Sequence, residues 1–292
     1  MDGVIVVNKP LGKTSHDMVG IIRRLSGIRR VGHTGTLDPM ATGVLPVCIG
    51  KATKAADMLT FSDKKYHAQM ILGMTTDTQD AEGQVLTECP VTCTQEQIQN
   101  VVKQFIGEIK QVPPMYSAVK QNGKKLYELA RAGIEVERKK RTVTIRRIDI
   151  AQIDLQQGSV TMDVECSKGT YIRVLCEDIG LALGCGAYMN RLERRESAGF
   201  SIEESHTVEE LCRRAEEGTL SQILVPTDKL FERYPRLTVD SRQEKQIKNG
   251  VQIRFRGLVE EQSYRVYNEA EEFLAIAAPY GERLKLVKTF WS

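Results

Sequence analysis

The chain has 292 residues, of which 41% are hydrophobic and 27% charged, enough length for a buried core and for one or two globular domains. A formal net charge of +3 and a pI near 8.4 are too mildly basic to show a nucleic-acid partner, so the placement of charge matters more than its sum. Apolar runs such as residues 3–7 are far too short to cross a bilayer, no secretory signal pattern opens the chain, and the seven cysteines lack CxxC spacing or a neighbouring histidine cluster; a cytoplasmic protein with reduced thiols and no zinc site is expected.

Residues 4–7 read as a buried strand, broken by the turn Asn8-Lys9-Pro10-Leu11-Gly12-Lys13. Thr14 or Ser15 serves as N-cap for a helix with Met18, Val19, Ile22 and Leu25 on one face and Gly27 as its stop. Residues 32–43 then gather three glycines, His33 and Asp38-Pro39, a composition poor for a helix interior or a strand and suited to a shaped loop. Proline biases Asp38 toward extended backbone, so the stretch is either a plain turn or a stiff mount that offers a carboxylate to a bulky ligand. Residues 44–49 form an apolar strand with an edge or bend expected at Pro46. Gly43 and Gly50 with Lys51 superficially resemble a phosphate-binding loop, but the spacing is too long and alanine follows the lysine, which excludes that reading.

Residues 65–72 alternate as a strand with Tyr66, Ala68, Met70 and Leu72 on one face; by pattern alone Tyr66 is a core aromatic as readily as a reactive one. The acidic loop 76–83 lacks the ligand spacing of a calcium-binding EF-hand. Thr94 and Gln97 announce a capping box for a helix through Ile98, Val101, Val102 and Phe105 that stops at Gly107. A stiff extended segment over 112–120, a lysine turn and a short helix through Leu126, Leu129 and Ala130 follow, then strands over 142–153 and 159–166. A helix over 171–183 places Arg173 in its first turn, where the macrodipole disfavours a cation by about a few tenths of a kcal/mol; the side chain either reaches solvent or is kept for an acidic partner. Thr207 and Glu210 cap a further helix, residues 225–235 connect, and the last sixty or so residues carry short strands with an Asn249-Gly250 turn.

Basic residues cluster at Arg23-Arg24, Arg29-Arg30, Lys64-Lys65, Lys124-Lys125, 138–141, Arg146-Arg147 and Arg194-Arg195. Any one doublet is an ordinary solvated face, whereas seven of them favour a polyanion.

Taken together, Gly32-His33-Thr34-Gly35-Thr36-Leu37-Asp38-Pro39-Met40-Ala41-Thr42-Gly43 closely resembles the catalytic motif of the TruB family of tRNA pseudouridine synthases. The resemblance runs in order through Asn8-Lys9-Pro10, Lys65-Tyr66, the segment 77–83, the segment 113–120, the segment 126–131, the segment 166–173 and Leu192 within 190–195. It implies isomerisation of uridine 55 in the tRNA T-loop. It also implies an α+β catalytic domain over 1–233 on a mixed, mainly antiparallel sheet, an RNA-embracing insert over 113–147, and a small β-rich, PUA-like RNA-binding domain over 234–292.

By the same resemblance Asp38 would attack or deprotonate the target ribose, Arg173 would pair with Asp38, and Tyr66 would stack on the flipped base and assist loss of its carbon-5 proton. Leu192 would line the base pocket, His33 would fill the place the nucleotide leaves, Asp80 would sit by the base, and Lys9, Gly32 and Thr34 would contact substrate. An arginine beside a buried carboxylate is expected to keep it ionised against desolvation. The reaction moves one bond and changes no oxidation state, so no metal or cofactor is expected; the partner is the tRNA T-arm, and a monomer is the default. Two rival readings are a T-arm chaperone without chemistry, which has no use for a carboxylate aimed at an anionic ligand, and a backbone-cutting enzyme, which a lone carboxylate equips poorly.

Overall fold

A nine-stranded mixed sheet organises the chain as far as Ser201. The computed structural model describes residues 1–60, 62–121 and 123–291; the segments read as 113–147 and 234–292 each include one residue, Asn122 and Ser292, outside these. The chain opens with β1 (Gly3–Lys9), α1 (Ser15–Ser26), β2 (Val31–His33), β3 (Ala41–Ile49), α2 (Ala56–Thr60) and β4 (Lys64–Leu72). A hairpin of β5 (Met74–Thr76) and β6 (Val85–Glu88) brackets the acidic loop, followed by α3 (Gln95–Lys103) and β7 (Gly107–Gln111). The insert holds β8 (Lys120–Gln121), β9 (Lys124–Lys125) and α4 (Leu126–Arg131); β10 (Arg141–Asp154), β11 (Ser159–Cys166), α5 (Ile172–Ala182), β12 (Ala187–Ser197) and β13 (Phe200–Ser201) complete the unit.

The strand order is β1-β3-β12-β4-β11-β10-β7, with β2 added to β3 and β13 to β12. Each of these pairings is antiparallel except that of β3 with β12. Ile5, Val7, Leu45, Met70 and Met162 meet Met18 and Ile22 of α1, Ile98 of α3 and Leu175 and Ile179 of α5 in one core. Each such side chain contributes about 1.5–3 kcal/mol of apolar burial. The other face of β1 and β3, with Val4, Val6, Val44 and Cys48, packs on Ala52, Leu59 and Phe200, so these two strands are covered on both sides and read as unbroken apolar runs.

Pro46 lies in the interior of the sheet, not at an edge. It stands opposite Val6, between the end of the β12 pairing at Gly43 and the start of the β2 pairing at Val47. Its carbonyl accepts from Thr34 N on that side, where no ladder partner asks for the missing N–H. Likewise α3 stops at Lys103, and Gly107, with φ of +109°, opens β7 instead of closing the helix.

α6 (Val208–Glu216) leads to a second sheet of β14 (Arg236–Thr238), β15 (Ile253–Arg254), β16 (Tyr264–Tyr267), β17 (Phe273–Tyr280) and β18 (Arg283–Thr289), ordered β14-β16-β17-β18-β15, beside α7 (Ser241–Lys248). It has its own core of Val239, Ile247, Val266 and Leu274. Phe231, Ile276 and Phe290 join it to Ala55, and the Tyr267 hydroxyl donates to Asp228 Oδ2 at 2.9 Å. Among the described residues no helix is long and apolar enough to cross a membrane.

Candidate active site

The connection between β2 and β3 has no regular structure, yet every carbonyl from Thr34 to Pro39 has a donor. Thr60 Oγ1 serves Thr34 O at 3.0 Å, Arg194 Nη2 serves Gly35 O at 3.1 Å, and Arg194 Nη1 reaches Thr36 O at 3.5 Å. Ser15 Oγ donates to Leu37 O at 3.1 Å and accepts from Leu37 N at 2.8 Å. Ala41 N closes a turn on Asp38 O at 3.1 Å, and Pro39 O accepts from Gly12 N at 2.9 Å and Lys9 Nζ at 3.2 Å. With its backbone groups satisfied from the surrounding elements, the loop holds Asp38 in one place without belonging to a helix or sheet. Ser15 is free for this because Thr14 is the N-cap of α1, in a reciprocal capping box with Asp17.

Lys9 and Thr34, expected to contact substrate, are fully buried. The Lys9 ammonium donates to Lys13 O at 2.6 Å and Pro10 O at 2.9 Å as well as to Pro39 O, and burial pushes its pKa down to about 8. Thr34 donates its N–H to Pro46 O. Both therefore shape the loop from beneath instead of offering a surface to a ligand. Gly32 sits in β2 opposite Cys48 and is half-buried.

Arg173 enters the site from the first turn of α5. The Gln111 side-chain amide holds the start of that helix, accepting from Tyr171 N at 3.0 Å and donating to Tyr171 O at 3.1 Å. Arg173 Nε lies 3.0 Å from Asp38 Oδ2, and Nη1 lies 3.5 Å from Asp80 Oδ2. Nη1 also donates to Thr78 O at 2.9 Å, and Nη2 to Tyr116 O of the insert at 2.8 Å. Two carboxylates and two carbonyls thus offset the unfavourable dipole at this helix end.

The Asp38 side chain is 35% exposed, against 4% for Arg173 and 6% for Asp80, so Asp38 is the open member of the cluster. Burial pushes the Asp38 carboxyl above its ordinary range; the Arg173 charge pulls it back, Asp80 adds to the rise, and the balance is upward. Arg173 therefore moderates the desolvation of Asp38 without cancelling it. Asp80 is buried, and its Oδ1 accepts from Thr78 Oγ1 at 2.6 Å and Glu82 N at 3.1 Å. Its loop is sewn to β12, with Met189 N donating to Gln79 O and Ala81 N to Met189 O, each at 3.0 Å.

Tyr66 on β4 lies opposite Arg194 on β12, and Leu192 lies opposite Ala68, with Ala41 of β3 on its other side. Small neighbours thus flank Leu192, which is buried with Tyr66 in the face of the sheet that carries the helices. Burial pushes the Tyr66 phenol up, and the nearby Arg194 guanidinium pulls it partly back. His33 is half-buried; burial and the nearby Arg194 charge lower its pKa, and its Nδ1 accepts from Gly35 N at 3.3 Å, which leaves the ring neutral.

Several basic residues that cluster in sequence are buried or held in exposed ion pairs. Arg194 and Lys64 are buried, and burial lowers the Lys64 ammonium, held by Thr60 O and Ser62 O, to about 8. Arg146 pairs with Asp63, Arg147 with Asp149, and Lys65 with Glu196. The insert retains an exposed cationic character, with Lys125 and Arg131 over the Tyr127 ring at 5.3 and 5.5 Å. Ser15, read as a possible N-cap, Arg194, read as half of a basic doublet, and Gln111 support the site in roles the sequence does not announce, because each acts on backbone atoms that have no residue signature. Among the described residues no three His, Cys, Asp or Glu side chains gather as metal ligands; Asp38 and Asp80 are both engaged with Arg173.

The description "TruB family pseudouridylate synthase (N terminal domain)" fits residues 23–172, and "tRNA pseudouridylate synthase B C-terminal domain" fits residues 173–232. Among solved structures, the protein described as "Crystal Structure of a Cbf5-Nop10-Gar1 Complex" is similar at a TM-score of 0.73 and 28% identity, over 99% of this chain and 85% of that one. Fold and site thus define a pseudouridine synthase, an isomerase. A protein of Clostridium kluyveri named "tRNA pseudouridine synthase B" is 45% identical over 99% of this chain and all of its own length, and one of Alkaliphilus oremlandii with that name is 49% identical over 87% of this chain and 83% of its own. The chain belongs to the TruB family of pseudouridylate synthases.

Proposed function

We propose that the protein converts uridine 55 of the tRNA T-loop to pseudouridine, with Asp38 as the essential carboxylate. The observation that carries this reading is the Asp38–Arg173 pair, in which the carboxylate is the exposed partner and the guanidinium the sealed one. An ionised, positioned carboxylate acts on the ribose, either at its anomeric carbon or by taking a ribose proton, and the glycosidic bond breaks. The freed uracil turns, carbon 5 bonds to the sugar, and the carbon-5 proton is lost with help from Tyr66. Stacking on Tyr66 and packing on Leu192 contribute about 1–3 kcal/mol per base, and His33 in the vacated place makes extrusion less costly.

Residues 1–233 act as the catalytic unit, the insert 113–147 embraces the T-arm, and the β unit from 234 on serves as a PUA-like RNA-binding module. The relatives' printed name supports tRNA as substrate. The chemistry is a bond migration with no net redox change, so the residues named suffice without a metal or cofactor, in a monomer working in the cytoplasm. The test is to treat an unmodified tRNA transcript with the protein, label pseudouridine with a carbodiimide and map the adducts by primer extension. A single new stop at position 55, absent when that position is cytidine, is expected; a stop elsewhere, or none, overturns the assignment.

A further inference from the structure

The side chain of Arg194 is not used by the reaction as proposed. It is 1% exposed, and among the described residues no carboxylate lies within ion-pair distance of it. A guanidinium only donates hydrogen bonds, and burying one without a counter-ion is costly unless its donors are met. They are met by the aspartate loop and the strand that follows it: Nη2 donates to Gly35 O at 3.1 Å and Nη1 to Thr36 O at 3.5 Å in the loop, and Nε to Val44 O of β3 at 2.7 Å.

The backbone of Arg194 lies opposite Tyr66 on one side and Gly43 on the other, and its charge acts on the Tyr66 phenol. One residue therefore holds the chain on both sides of Asp38 in sequence and is the strand neighbour of the ring expected to act on the base. Leu192 stands two positions earlier on the same strand, so the three groups share one mechanical frame.

We infer that Arg194 is a positioning residue, which locks the Asp38 loop to the Tyr66 and Leu192 strands and fixes the carboxylate relative to the ring without touching the RNA. The inference deepens the proposed function and rests on it for its kinetic part. Misplacement of a reacting group by about 1 Å by a remote change costs on the order of a hundredfold in rate. Lysine in place of Arg194 keeps the charge but not the planar fork, so it cannot hold Val44, Gly35 and Thr36 together.

The test pairs steady-state kinetics on a tRNA transcript with hydrogen exchange of the RNA-free protein, for wild type and Arg194→Lys. The expected result is a fall in kcat of about a hundredfold, a tRNA Kd within about threefold, and faster exchange confined to amides of residues 34–44. Weaker tRNA binding with intact kcat overturns the inference and returns Arg194 to the RNA grip. Unchanged kcat despite a loosened loop also overturns it, as does faster exchange spread evenly over the fold. Should the variant not fold, wild type alone decides: the Thr34 and Leu37 amides should exchange as slowly as those of β12, and exchange as fast as an exposed loop contradicts the clamp. Because exchange is read without RNA, failure of the tRNA assignment leaves that arm standing.

Discussion

Arg173 Nε lies 3.0 Å from Asp38 Oδ2, with the arginine sealed in the protein and the carboxylate partly open. The same guanidinium faces Asp80, which is buried on its far side. Replacing Arg173 by methionine therefore leaves Asp80 buried without its cation, and loss of one partner of a buried pair costs about 3–5 kcal/mol. Urea unfolding of Arg173→Met should show a loss of that order, with part of it recovered in the Arg173→Met, Asp80→Asn double variant. A loss that is the same in both would mean that Asp80 does not depend on Arg173.

The upward shift of Asp38 has a defined consequence for rate against pH. With Asp38 as the proposed ionised carboxylate, activity rises with pH through its folded-state pKa, and the acid limb of kcat/KM should lie above the ordinary aspartate value of 3.8. Asp80 contributes to the rise, so Asp80→Asn should move that limb to lower pH. A limb that moves upward in that variant would show that Asp80 acts mainly by steadying Arg173.

Tyr66→Phe keeps the ring and removes the hydroxyl near the Arg194 guanidinium. Stacking is preserved, so the tRNA Kd should stay within about threefold, while the rate of carbon-5 proton release falls by about 10²–10⁴, the range of general acid–base contributions. Equal loss of binding and turnover would assign Tyr66 to base recognition alone.

Gly43 has φ of +98°, and a Cβ there would stand 2.3 Å from Arg194 O. Gly43→Ala thus combines backbone strain, about 1–3 kcal/mol, with a clash against β12 that no side-chain rotation relieves. Thermal unfolding should show a clear loss of stability; a variant as stable as wild type would mean that the parallel pairing of β3 and β12 can open at little cost.

Much of this frame is visible before folding. Thr14 or Ser15 marks the start of α1, the apolar runs of β1 and β3 reflect burial on both faces, and the glycines and proline around Asp38 announce a shaped loop. β12 is not visible, because residues 190–196 are mostly charged and one buried position is Arg194 itself, satisfied by carbonyls that hydropathy does not register. The burial of Lys9 is hidden for the same reason, because the three backbone oxygens that converge on its ammonium leave no mark in the sequence. Gln111 acts on α5 across a long stretch of chain, which no local pattern encodes.

Tritium release from an unmodified tRNA transcript labelled at carbon 5 of uridine, with wild type and Asp38→Asn side by side, measures directly whether the partly open Asp38 carboxylate carries the chemistry. Wild type should release one label per uridine converted; Asp38→Asn should release none while binding the tRNA within about tenfold, or about 1.4 kcal/mol, of wild type. Undiminished release by Asp38→Asn would contradict the mechanism.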